Sequence, residues 1–79
     1  MEDKIVRRNL YRVLRKTGVQ KHNIKLTSSF NDDLQFDPID WSIFAYYLEG
    51  VFDISINDDE LVKLDNVTKT IQFLEQSAN

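Results

Sequence analysis

The junction of Asp37 and Pro38 is the place in this chain where residue types and spacing could support chemistry on a phosphate. Aspartate is a favoured helix N-cap, and proline suits the next position because its φ is already fixed and it has no N–H to satisfy. A helix N-terminus attracts anions through its unpaired N–H groups and partial positive charge. Proline, however, brings no nucleophile and no donor. We therefore interpret the junction first as a helix start and only second as an anion site.

Other reactive residues are scarce. The chain has no cysteine, which removes disulfides, thiol nucleophiles and thiolate metal sites. Its single histidine, His22, has no second histidine with which to share a metal, so we expect it on the solvated surface. We find no nucleophile paired with a base, no metal-ligand cluster and no glycine-rich phosphate loop. The sequence therefore predicts neither an enzyme nor a metal protein.

Length and composition predict one domain over residues 1–79. The 79 residues include 42% hydrophobic and 29% charged ones, with two glycines and one proline, as in an ordinary globular chain. No run approaches the roughly 20 apolar residues of a membrane span. The first ten residues lack the apolar region of a secretory signal. We expect a monomeric cytoplasmic protein without a membrane span.

The charges are unevenly distributed along the chain. Seven of the ten basic residues fall in the first 21 positions: Lys4, Arg7, Arg8, Arg12, Arg15, Lys16 and Lys21. From residue 31 onward, eleven carboxylates face only Lys63 and Lys69. The basic end could meet an anionic partner, or it could be the solvated face of a first helix, which is the commoner use of such a run. A net charge of −3 does not recommend nucleic acid as that partner.

Helical periodicity predicts a first helix over about Asp3–Thr17, followed by a left-handed C-cap at Gly18. Its inward residues would be Ile5, Val6, Leu10, Val13 and Leu14. Residues 19–36 show no sustained period and predict a long loop, which must be anchored by its own side chains. We expect these anchors to be Ile24, Phe30 and Leu34, with Ser28 or Ser29 capping a turn near Phe30.

A second helix is predicted from Pro38 to about Val51. Its apolar residues at helical spacing predict a core-facing stripe made of Ile39, Ile43, Phe44, Tyr47, Leu48 and Val51. The alternation at 52–56 allows a short strand, although no partner strand is evident. Asn57 should then cap a brief helix, and Asp65 or Asn66 should cap a last helix that ends in the polar tail 75–79. The inward residues of that last helix would be Val67, Thr70, Ile71 and Leu74.

With the motifs in place, the chain resembles the acyl carrier proteins. The segments SSFNDDLQFDPIDW and LEGVFDISINDDELVKLDNVTKTIQFL are similar to the family pattern SF-x-(E/D)-DL-G-x-DSLD, a helix, an FD-x-x-I turn, an acidic short helix and a closing amphipathic helix. The residues that coincide without a gap are Ser29, Phe30, Asp32, Asp33, Leu34, Asp37, Asp40, Leu48, Glu49, Phe52, Asp53, Ile56, Asp59, Glu60, Val67 and Ile71. The resemblance implies an all-α four-helix bundle with a long loop between helices 1 and 2, a short third helix and a cleft for an acyl chain.

The resemblance fails at the functional residue. In the family a serine follows the motif aspartate and is esterified by 4′-phosphopantetheine, whereas here that position is Pro38. The helix start can survive this change, but a phosphodiester needs an oxygen nucleophile. We therefore expect no bound cofactor. Ser42 is a weak substitute because it lies one turn further on, about 6 Å along the axis, outside the motif geometry.

The partner surface also departs from the family. The family's second helix usually carries an acidic outer face that docks on basic patches of its enzymes. Here Asp37, Asp40 and Glu49 persist, while Ile43, Gly50 and Val51 replace acidic positions. We expect a protein partner, of synthase or acyltransferase type, to contact Asp37, Asp40, Trp41, Ile43, Tyr46 and Glu49. Trp41 and Tyr46 would either form an exposed apolar patch or close the core, and the sequence leaves both interpretations open.

Three functional hypotheses follow. The first is a non-catalytic acyl-carrier-like module, related to fatty-acid and lipid metabolism, that carries no phosphopantetheine and docks through helix 2. The second is a working acyl carrier in fatty-acid or polyketide-type synthesis, modified at Ser42. The third is a binder of small hydrophobic ligands that uses the cleft without a covalent tether.

Overall fold

The computed structural model describes the backbone of residues 3–77 and the side chains of residues 4–76. It contains four α-helices: α1 (Asp3–Thr17), α2 (Pro38–Phe52), α3 (Asp58–Leu61) and α4 (Val67–Ser77). A 3-10 turn at Lys21–Asn23 interrupts the long first loop. Helix α1 packs on both α2 and α4. The predicted all-α architecture, with a long first loop and a short third helix, is confirmed; the last two residues of the polar tail lie outside the described range.

Helix α1 contributes four fully buried residues, Val6, Leu10, Val13 and Leu14. The prediction that Ile5 faces inward is wrong, since its side chain is 46% exposed. At 100° per residue, Ile5 is turned away from the stripe that begins at Val6. Gly18 has φ 110°, and its N–H donates to the Arg15 carbonyl at 3.1 Å. The predicted left-handed C-cap is therefore confirmed.

The predicted core-facing stripe of α2 is confirmed in part, since Phe44 and Leu48 are fully buried. Phe44, Leu48 and Phe52 form its buried side. The expectation that Ile39, Ile43 and Val51 face the core is wrong, because these three side chains are 69%, 38% and 36% exposed; Tyr47 is half-buried. The helix is apolar on more than one side, so periodicity alone does not fix which side packs against its neighbours.

Helix α2 ends at the first residue of the segment 52–56, for which the sequence allows a short strand. Phe52 belongs to the helix, and Asp53 ends it in a left-handed conformation with φ 54°. The Asp53 N–H donates to the Glu49 carbonyl, and the Ile54 N–H donates to the same oxygen at 3.2 Å. Among residues 3–77 the one β-type pairing is an isolated bridge between Ser29 and Asn66. The strand at 52–56 does not form.

The three predicted loop anchors all pack into or against the core. Ile24 and Phe30 are buried, and Leu34 is half-buried against the core cluster. Phe36, which was not predicted as an anchor, is 9% exposed. Both candidate serines cap turns: the Lys25 N–H donates to Ser28 Oγ at 3.0 Å, and the Asp32 N–H donates to Ser29 Oγ at 3.1 Å. The loop is therefore ordered by apolar contacts and by local caps together.

Hydrogen bonds also tie the long loop to the start of α4. We call this contact between residues 26–30 and 65–68 the loop clasp. The Phe30 N–H donates to the Asp65 carbonyl at 3.0 Å, and the Val67 N–H donates to the Ser28 carbonyl at 3.1 Å. Thr68 contributes twice, because its N–H and its hydroxyl both donate to the carbonyl of Leu26. Backbone groups that would otherwise lack a partner are thereby satisfied.

The last two helices begin where the sequence indicates. Asn57 Oδ1 accepts from the Glu60 N–H at 2.9 Å and caps α3, which is only four residues long. Asn66 Oδ1 accepts from the Lys69 N–H at 2.8 Å, so Asn66 supplies the cap of α4. The four residues predicted to face inward from α4 are all buried: Val67, Thr70, Ile71 and Leu74.

Candidate functional site

The start of α2 is a complete helix cap. Asp37 has extended backbone angles, and its Oδ1 accepts from the Asp40 N–H at 2.8 Å. In return, Asp40 Oδ2 accepts from the Asp37 N–H at 3.2 Å. The two carboxylates thus satisfy each other's backbone N–H groups, as in a capping box. The predicted helix start at Asp37 is confirmed.

Pro38 occupies the first turn of this capped helix and is exposed. Its ring offers no oxygen, so the position holds a well-formed helix start without a nucleophile. Ser42 is also exposed, and its Oγ donates to the Pro38 carbonyl at 3.1 Å. That bond turns the Ser42 hydroxyl back along its own helix, where it uses its only proton.

The two aromatic residues whose exposure the sequence left open differ from each other. Trp41 is half-buried within a cluster of four rings whose centroids lie 5.2 to 5.9 Å apart: Phe30, Phe36, Trp41 and Phe44. Tyr46 is 72% exposed. Trp41 therefore closes the core beside the loop, whereas Tyr46 presents its ring to solvent.

The solvent-facing side of α2 carries an apolar stripe. Ile39, Ile43, Tyr46 and Gly50 are all exposed and follow one another at intervals of four, three and four residues. We call these four residues the outer stripe. A Cβ added at Gly50 would meet no atom within 4 Å, so no close contact within the molecule requires glycine there. Ile39 was missed as a surface residue because the sequence pattern assigned it to the core.

Glu49 has a structural contact that the sequence did not reveal. Its carboxylate is half-buried, and Oε2 accepts from the Ile56 N–H at 2.7 Å. The bond fastens the segment after α2 to the last turn of the helix. Glu49 lies near the C-terminus of α2, where the helix dipole disfavours a negative charge, and that unfavourable position is the one hint the sequence contains.

Away from α2, His22 is exposed in the 3-10 turn, as expected. Lys16 on α1 lies 5.6 Å from the ring centroid of Tyr47 and links the two helices.

Between residues 3 and 77, no group of three or more histidine or acidic residues is placed to hold a metal ion. None of the helices in that range is both long and apolar enough to cross a bilayer.

Comparison with known proteins gives relatives of similar sequence, although no family model matches the chain. It is 36% identical over 62 residues to the acyl carrier protein of Chlorobium phaeobacteroides, a match that covers 78% of this chain and 80% of that protein. It is 34% identical over 64 residues to the acyl carrier protein of Buchnera aphidicola subsp. Acyrthosiphon pisum, with 81% and 80% covered. Since these likenesses span most of both chains, the chain belongs to the acyl carrier protein family.

Proposed function

We propose that this chain is a non-catalytic member of its family that carries no phosphopantetheine of its own and acts by docking to a protein partner through α2. The observation that carries the proposal is Pro38 in the first turn of an intact, capped helix. The scaffold of the attachment site is retained, but the oxygen that the attachment needs is gone.

Ser42 does not readily replace the missing oxygen. It lies one helical turn beyond Pro38, about 6 Å along the axis, so a phosphate attached there would sit away from the helix start. Its hydroxyl proton is engaged by the Pro38 carbonyl.

The outer stripe supports docking by its spacing. Intervals of four, three and four residues are those of the a and d positions in a coiled-coil seam, the narrow stripe that packs against one other helix. Exposed apolar residues arranged contiguously mark interaction sites more often than scattered ones do. We infer that the partner contributes an apolar surface that lies along α2.

Gly50 supports the same inference from stability. Glycine inside a helix costs roughly 0.5–1 kcal/mol relative to alanine. No neighbour within the molecule would clash with a Cβ at this position, so internal packing does not explain the cost. A partner backbone that approaches α2 closely would explain it.

The charges beside the stripe indicate what should surround the partner's apolar surface. Asp40 and Glu49 flank the stripe, and both are acidic. A second copy of this chain that packed stripe to stripe would place like charges together, which is unfavourable. A partner with basic residues around an apolar patch fits better, and the family resemblance suggests an enzyme of synthase or acyltransferase type.

The first experiment tests covalent loading. The protein is incubated with coenzyme A and a promiscuous phosphopantetheinyl transferase, and its intact mass is measured, with Ser42→Ala and Pro38→Ser alongside. We expect an unchanged mass for the natural chain. A gain of one phosphopantetheine that disappears in Ser42→Ala would overturn the proposal and indicate a working carrier. Loading of Pro38→Ser alone would show that only the oxygen is missing.

The second experiment tests docking. Purified synthases and acyltransferases that act on acyl carrier proteins are titrated by calorimetry with the natural chain, Tyr46→Ser and Val62→Ser. Val62 is the matched control because it is 74% exposed, as Tyr46 is 72% exposed, but lies outside α2. We expect binding that Tyr46→Ser weakens and Val62→Ser does not. Binding that is equally sensitive to both changes, or a dimer that Tyr46→Ser splits, would contradict the proposed docking mode.

Native mass spectrometry of the same preparations tests the third hypothesis, a non-covalent ligand. The four-ring cluster around Phe30 fills the core beside the start of α2. We therefore expect the mass of the protein alone, with no bound lipid. A hydrophobic molecule that co-purifies at one equivalent would instead favour a ligand binder.

A further inference from the structure

A basic groove of about 510 Å³ runs between the outer side of α1 and the 3-10 turn. Its lining residues are Arg8, Tyr11, Arg12, Arg15, Lys16, Lys21 and Ile24. It lies on α1, whereas the docking surface proposed above lies on α2. Residues 4–31 contain eight lysines and arginines and no carboxylate. The groove is therefore an uncompensated positive region in a chain whose net charge is −3.

Arg8, Arg12 and Arg15 recur at intervals of four and three residues, so they share the face of α1 opposite the core. All three side chains are exposed. Among the described residues, none of these three side chains makes a hydrogen bond or an ion pair, whereas Lys69 pairs with Asp65 at 2.9 Å. Their guanidinium groups keep all their donors available, and clustering them costs repulsion that nothing in the described residues offsets.

The groove is not only charged. Tyr11 is half-buried and Ile24 is buried, and together they provide an apolar floor between the cationic walls. Arginine differs from lysine in presenting a planar fork that matches a carboxylate with two parallel hydrogen bonds. Arginine side chains beside an apolar floor suit a ligand that carries separate carboxylates on a partly apolar chain.

We propose that this groove binds an acidic, extended segment of a partner protein. Successive arginines on this face lie about 6 Å and 4.5 Å apart along the helix axis. Alternate side chains of an extended chain lie about 6.6–6.8 Å apart on one side. Glutamates or aspartates at alternate positions can therefore pair with consecutive arginines, while the methylene groups of these acidic side chains contact Tyr11.

Two other anionic partners fit the molecule less well. A nucleic acid would run past the groove and meet the acidic remainder of the chain, where eleven carboxylates face two lysines. A basic helix binds a membrane by inserting its apolar face, but the apolar face of α1 is occupied, since Val6, Leu10 and Leu14 are fully buried in the core. A short acidic segment keeps its charge within the groove and avoids both conflicts.

The test uses the full chain and a fluorescent 12-residue peptide with glutamate at alternate positions and one phenylalanine, followed by anisotropy. A matched peptide replaces every glutamate with glutamine. We expect the glutamate peptide to bind and the glutamine peptide to bind at least tenfold more weakly, because charge-assisted bonds are lost. Affinity should fall as salt rises from 50 to 300 mM.

Arginine variants locate the site. The double variant Arg12→Gln with Arg15→Gln removes two charges from the groove, and Lys63→Gln with Lys69→Gln removes two charges elsewhere. We expect a tenfold or greater loss of affinity in the first variant and less than a twofold change in the second. Thermal melting of both variants checks that they remain folded, as their exposed positions predict.

Several outcomes would overturn the proposal. Equal binding of the two peptides would show that carboxylates are not recognised. Equal losses of affinity in the two double variants would show general electrostatic attraction and no defined binding site. Parallel titrations use a 20-nucleotide single-stranded DNA and vesicles with 30% anionic lipid. Tighter binding of either probe through Arg12 and Arg15 would identify a different partner. Docking of α2 to an enzyme is measured separately with Tyr46→Ser, so either proposal can fail without the other.

Discussion

The two faces of α2 carry the same kinds of residue and yet have different surroundings. Phe44, Leu48 and Phe52 on the inner face are at most 5% exposed, whereas Ile39 and Tyr46 on the outer face are about 70% exposed. The difference arises from what packs against each face: α1 and the loop aromatics cover one, and nothing among the described residues covers the other. Because α2 is apolar nearly all round, the uncovered stripe is the face whose apolar character is not explained by core packing.

The inner face of α2 should determine stability, and the outer stripe should determine recognition. Residues on the inner face should set the free energy of unfolding, because their burial removes apolar surface from water. Shortening the side chains of Ile39, Ile43 or Tyr46 on the outer stripe should leave that free energy almost unchanged and weaken binding instead. The following substitutions test this division, in order of decreasing expected effect.

Phe44→Ala should lower the free energy of unfolding by about 3–5 kcal/mol, since it empties a fully buried position that touches three other rings. Urea denaturation followed by circular dichroism measures the change. Tyr46→Ala on the outer stripe is the control and should stay within about 0.5 kcal/mol of the natural chain. Similar losses in the two variants would show that the two faces do not differ as described.

Glu49→Ala should cost about 1–3 kcal/mol, because the Ile56 N–H loses a charged acceptor in a partly buried position. Glu49→Gln keeps an acceptor oxygen and should cost less. Amide exchange at Ile56 should accelerate in the alanine variant. If exchange there is unchanged, the bond does not hold the segment after α2.

Asp37→Ala should cost about 1 kcal/mol, the usual value for an N-cap carboxylate that accepts from a backbone N–H. Asp37→Asn, which retains a capping oxygen, should remain close to the natural chain in the same urea titration. An alanine variant as stable as the asparagine variant would mean that Pro38 alone determines where the helix starts.

Gly50→Ala should raise the free energy of unfolding by about 0.5–1 kcal/mol, since the added methyl enters open space and the helix gains propensity. The same change should weaken docking measured by calorimetry, because it separates α2 from a closely packed partner. A variant that is stabilised and still binds its enzyme partner normally would show that Gly50 is not kept for close approach.

Features set by neighbouring residues could be predicted from the sequence. Asp37, Asn57 and Asn66 are short polar side chains before helical patterns, and each accepts from a backbone N–H as its position indicates. Gly18 similarly ends α1 with a positive φ. These outcomes depend on chemistry within four residues, which the sequence displays directly.

Features set by distant residues could not be predicted in the same way. The inner face of α2 is selected by contact with α1 and with Phe30 and Phe36 in the loop, so periodicity within α2 chose Ile39 and Ile43 wrongly. The loop clasp likewise joins residues that are far apart in the chain, and their meeting depends on the completed fold. The bond from Ile56 to Glu49 spans only seven residues, but it depends on the left-handed turn at Asp53. The assignment of Pro38 to the family's attachment position stays a prediction, which rests on the register that the resemblance supplies.

The loop clasp makes one cooperative unit of regions that lie far apart in the chain. It joins residues 26–30 to residues 65–68, so the segment that contains α2 and α3 is a closed loop of nearly forty residues. Closing a loop of that length costs chain entropy, and the hydrogen bonds of the clasp offset part of that cost. Removing α4 would release Val67 and Thr68 together with their partners at Ser28 and Leu26, so this part of the first loop would lose its long-range hydrogen bonds.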